Sequence, residues 1–81
     1  MKISRDQLRA QGALIDTNKT LGAVLRARRK KLGYTQEQVA EMLAFSPRLV
    51  GEIERGRPTV GIDKVLLYAT NIGIDVIAFE R

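Results

Sequence analysis

The sequence predicts an all-α bundle of about four to five helices with a short C-terminal β-strand. Three observations predict it. Apolar residues recur at helical period in segments punctuated by glycine and proline. Hydroxyl residues head several of these segments, where a side-chain oxygen satisfies free backbone N–H groups. The final residues abandon the helical period and are β-branched or aromatic, which suits a strand.

Ser4-Arg5-Asp6-Gln7 fits a capping box, so a short helix over residues 5–11, closed by Gly12, is expected in the N-terminal segment 1–17. From Asn18 to Leu32, Leu21, Val24, Leu25 and Leu32 make one stripe. Arg26, Arg28, Arg29, Lys30 and Lys31 gather near the C-terminal end, where cations suit the helix dipole, and Gly33 stops the helix. Thr35 to Gln38 is a second capping box and opens a helix to Leu43. Ser46 followed by Pro47 starts a third helix, which ends at Arg55-Gly56. After a loop through Pro58, a fourth main helix runs from Ile62 to Asn71. Its expected core stripe is Ile62, Val65, Leu66, Ala69 and Ile72, and Gly73 ends it. Residues 74–81 read as a strand with no partner in their own chain. An unpaired strand edge invites a second copy, so a two-fold dimer is expected, with Ile74, Val76, Ile77 and Phe79 at its interface. Leu67 and Tyr68 lie off the expected α-helical stripe and are assigned to the same interface.

Composition narrows the function. The chain has 81 residues, one domain's worth, and neither cysteine nor histidine. Disulfides and the usual zinc ligands are therefore excluded, and no metal or other cofactor is expected. Dimerisation is the common remaining way for so small a domain to bury more apolar surface. Lys plus Arg number 14 against 9 Asp plus Glu, a formal charge of +5, which favours an anionic partner such as nucleic acid. No apolar run approaches the ~20 residues that span a bilayer, and the N-terminus lacks a signal-peptide core. A cytoplasmic protein without a membrane partner is expected. Catalysis is not: no His or Cys base or nucleophile pair and no phosphate-cradling glycine loop occur. Glu52 and Glu54 are no acid–base pair, since residues two apart on a helix do not face each other.

The segment TQEQVAEMLAFSPRLVGEIERG places Val39, Leu43, Phe45, Val50 and Ile53 so that two helices cross at a sharp turn, with Ala40 permitting close contact. Together with "LRARRKKLGYTQ" before it and "IERGRPT" at its end, it resembles the Xre/Cro-type family, the lambda-repressor-like helix-turn-helix proteins of phage repressors. The resemblance covers residues 20–73 and implies a DNA-binding domain over 18–73. Ala44 departs from it, because the family usually has glycine in this turn; a positive φ there would strain alanine mildly. The stretch "RPTVGIDKVLLYATNIGIDVIAF" is similar to HipB-like antitoxins. That similarity implies a dimerisation strand over 74–81, repression of the protein's own operon, and a HipA-like kinase toxin as partner. A plain Xre-type repressor without a toxin is the competing reading.

On the third main helix, Leu49, Val50 and Ile53 share one side, and Pro47, Arg48, Gly51, Glu52 and Arg55 the other. The second side suits a helix that enters a major groove. Arg48 either reads guanine O6 and N7 with its fork or contacts phosphate. Glu52 either accepts from cytosine N4 or orients Arg48 four residues earlier. Ser46 caps the helix and can also touch phosphate. Arg55 and Arg57 flank the helix and suit backbone contacts, whereas Arg26, Lys30 and Lys31 read as solvated. The resemblance implies a phosphate contact for Gln36 and an ion pair between Arg29 and Glu54. The expected partner is double-stranded DNA carrying an inverted repeat.

Overall fold

The computed structural model describes Ser4, residues 6–7, residues 12–78 and Glu80. Among the described residues four helices have both ends in view: α1 Asn18–Leu32, α2 Gln36–Leu43, α3 Pro47–Arg55 and α4 Ile62–Asn71. Each start has a local cause. Thr17 caps α1, and the Thr20 side chain answers it by accepting from the Thr17 N–H at 3.1 Å. Thr35 and Gln38 form the same reciprocal box at α2. Ser46 accepts from the Leu49 N–H at α3, with Pro47 behind it. The Ser4–Gln7 box also forms, and Asp6 and Gln7 are helical; the rest of the helix expected over 5–11 lies outside the described residues.

The helices wrap α3. α1 and α2 pack against α3, and α4 packs against α2. Their common core holds Leu21, Leu25, Val39, Ala40, Leu43, Val50, Ile53, Ala69 and Ile72 with Tyr68 at its centre. α1 meets α3 at glycine. A Cβ on Gly22 would stand 2.5 Å from the Ile53 carbonyl oxygen, and one on Gly56 would stand 2.6 Å from Lys19 Cα. Gly56 has a second reason to be glycine, its φ of +75°. The backbone of α1 is thus set directly against the C-terminal end of α3.

The expected core stripe of α4 and the placing of Tyr68 at an interface are corrected. The core stripe of α4 is Val65, Tyr68, Ala69 and Ile72, not one that includes Ile62 and Leu66. Those two are exposed, at 62% and 41%. The stripe rotates because Tyr68 is not an interface residue: it is fully buried, and its hydroxyl finds a partner inside the fold. Buried tyrosine is stable when its O–H is satisfied. Among the described residues no strand is assigned, and residues 74–78 make no ladder with their own chain. The Ile74 N–H closes onto the Ala69 carbonyl at 2.9 Å, and Ile74 packs against the core.

Candidate nucleic-acid interface

The turn between α2 and α3 is made by Ala44, whose φ of +56° is the left-handed value anticipated for this position. Ser46 and Pro47 then launch α3 with Val50 and Ile53 inward and Leu49 half-buried. Pro47, Arg48 and Arg55 are exposed, and Glu52 is half-buried on the same outer side. Arg48 Nε donates to Glu52 Oε1 at 3.1 Å, an i,i+4 pair in which the arginine remains largely in solvent. Arg57 follows in the loop, exposed, with its N–H bonded to the Glu52 carbonyl.

Behind this outer face lies a buried polar cluster. Arg29 and Glu54 are 7% and 6% exposed. Arg29 Nε donates to Glu54 Oε2 at 2.7 Å and its Nη2 to Oε1 at 2.9 Å, a side-on fork. Arg29 Nη1 also donates to the Tyr34 carbonyl oxygen. The Tyr68 hydroxyl donates to Glu54 Oε2 at 2.6 Å, and Gln36 Nε2 to Oε1 at 3.2 Å. One carboxylate on α3 therefore gathers donors from α1, α2 and α4. Burial pushes the Glu54 carboxyl up, but the hydrogen bonds from Arg29, Tyr68 and Gln36 outweigh it and hold it below the ordinary carboxylate value. Burial and the adjacent carboxylate push the Tyr68 hydroxyl above its ordinary value. Such a charge pair contributes little net stability against an apolar substitute, but it fixes orientation: losing one partner strands the other.

Tyr68 and Arg28 have roles the sequence reading missed. Arg28 Nε donates to the Ile72 carbonyl oxygen at 2.8 Å, tying α1 to the end of α4. Tyr68 was legible in principle, because it falls three residues after Val65 and four before Ile72. Gln36 is half-buried at the head of α2 and reaches the cluster while keeping one amide N–H free of it. Of the residues assigned to a dimer interface, Leu67, Val76 and Ile77 are exposed at 48%, 46% and 71%. Ile74 is half-buried, Tyr68 is in the core, and Phe79 lies outside the described residues.

A short helix seated at a sharp turn on a second helix, polar on its outer face and locked from behind, defines a helix-turn-helix domain. The chain belongs to the helix-turn-helix family, whose pattern it matches over residues 25–79. It is similar to the uncharacterized HTH-type transcriptional regulator YazB of Bacillus subtilis (strain 168), with 42% identity over 59 residues, covering 70% of this chain and 86% of that protein. It is also similar to the uncharacterized HTH-type transcriptional regulator y4mF of Sinorhizobium fredii, with 33% identity over 66 residues, covering 79% of this chain and 87% of the relative. No described helix is long and apolar enough to cross a membrane.

Proposed function

We propose that this chain is a sequence-specific DNA-binding transcriptional regulator, a repressor that acts as a homodimer on an inverted-repeat operator. One observation carries the reading: α3 presents Arg48 and Glu52 outward, while the Glu54 network behind it fixes the helix against α1, α2 and α4. A groove-entering helix must be held rigidly to read base edges. The relatives, both HTH-type transcriptional regulators, support the same class, and that class is not enzymatic. Gln36, Ser46, Arg55 and Arg57 are assigned to phosphate contacts, Arg48 with Glu52 to base recognition, and Pro47 to close approach at the N-terminal end of α3.

The test is selection of duplexes from a random pool, followed by titration of the winners. Arg48→Ala should cost about 1–3 kcal/mol on the selected duplex and relax preference at one base pair per half-site. Equal weakening on selected and random duplexes would assign Arg48 to phosphate instead.

A second, finer reading is a HipB-like antitoxin that represses its operon and also binds a HipA-like kinase toxin. What favours it is the apolar exposure of Leu67, Val76 and Ile77, together with the similarity of the tail. Affinity purification from the native host separates the two: a co-purifying kinase supports the antitoxin, and the homodimer alone supports a plain repressor.

A further inference from the structure

An open cleft lies between α1 and α3, beside the head of α2. Its walls carry Arg26 and Lys30 from α1, Arg55 from α3 and Gln36 from α2, and Ala23, Ala27 and Gly51 leave its floor bare. Arg26, Lys30 and Arg55 are exposed, and among the described residues none of them makes an ion pair. Glu54 also reaches this cleft, but its carboxylate is already committed to Arg29 and Tyr68. The cleft is therefore strongly cationic, with no acidic group left to neutralise it.

Gly51 sharpens the argument. Glycine weakens a helix interior relative to alanine. At Gly22 and Gly56 the chain's own backbone forbids a side chain. At Gly51 a Cβ would meet only the Arg55 Nη1 tip at 3.1 Å and the Gln36 Nε2 tip at 3.6 Å. Packing within the chain does not demand glycine there. What converges over the bare backbone is two hydrogen-bond donors, with two further cations across the cleft.

We propose that this cleft seats one phosphate of the DNA backbone, clasped by Arg55 and Gln36 on one side and by Arg26 and Lys30 on the other. The proposal rests on the DNA-binding reading and extends it to α1, whose basic residues become part of the DNA contact. Gln36 is suited to the seat because Glu54 holds one N–H of its amide and leaves the other to donate. Neutralising a phosphate releases its condensed counterion, so each such contact is visible in the salt dependence of binding.

The experiment compares the full chain with its Arg26→Gln/Lys30→Gln variant on a selected and on a random duplex over a range of salt. Both positions are exposed on α1, and thermal unfolding checks that the variant folds like the parent. The expected result is a several-fold weaker complex, equally so on both duplexes, with the slope of log K against log salt reduced by roughly one. A second arm replaces single phosphates of the selected duplex with neutral methylphosphonates. One position per half-site should weaken the parent, and should cost the variant, which keeps Arg55 and Gln36 at the seat, clearly less. An unchanged salt slope, or methylphosphonate losses identical in parent and variant, overturns the clasp while leaving DNA binding intact. If the parent selects no duplex at all, it is the DNA-binding reading that fails.

Discussion

Ala44 sits in the left-handed region at a position where glycine would carry no steric penalty. Its side chain is exposed, so nothing is lost by removing it. Ala44→Gly should therefore raise stability by about 0.5–1 kcal/mol, the strain released less the added unfolded-state entropy; unchanged or lower thermal stability would contradict this. Glu54 and Tyr68 each give the fold a pH dependence, one at the acid end and one at the alkaline end. The folded carboxyl of Glu54 lies below its unfolded value of about 4.3, so its contribution is present above that pH and is lost as pH falls through the folded value. The Tyr68 hydroxyl lies above its unfolded value of about 10, so its contribution is present below that pH and is lost as pH rises further. Tyr68→Phe should cost about 1.5–3 kcal/mol at neutral pH and flatten the alkaline limb in a pH series of denaturant melts. A variant that keeps the parent's alkaline limb would show that another group controls it.

At the scale of elements, helix limits were the most legible feature, because they are set locally. Thr35 and Gln38, or Ser46 and Pro47, need only each other and the backbone. The face a helix buries is set by its neighbours, and there the sequence misleads. Counting apolarity alone puts Leu66 inside α4 and Tyr68 outside; the Glu54 carboxylate on α3 reverses that by giving the phenol a partner. Arg28 shows the same limit. It stands in a basic run that suits the dipole of α1, but its hydrogen bond is to Ile72, the residue that caps the end of α4, 44 residues away. The Arg29–Glu54 pair was reachable only through family resemblance, since spacing cannot show that two side chains 25 residues apart will meet. Spacing alone reads Arg26 and Lys30 as solvated side chains, and nothing in the order of residues sets them on one cleft with Arg55.

For the whole molecule, the exposed apolar set on α4 and the tail matters most. Ile62, Leu66, Leu67, Val76 and Ile77 all remain in solvent in a single copy. A second copy pairing through the tail would cover part of this surface and space two α3 helices about 34 Å apart, or a multiple of that, on an inverted repeat. Ile74 belongs to the monomer's own core, so the informative truncation removes residues 75–81 and spares it. That truncation should sediment as a monomer and bind a selected duplex poorly; a stable dimer would move the interface elsewhere.

The central claim is that the outer face of α3, with the head of α2, is the surface that meets DNA. Amide chemical-shift mapping of the labelled protein during titration with a selected duplex tests it most directly. The account predicts saturating shifts concentrated at Gln36, Ser46, Arg48, Gly51, Glu52 and Arg55, with Val65 and Ala69 of α4 little changed. Shifts concentrated on α4 and residues 74–78, with α3 silent, would contradict it.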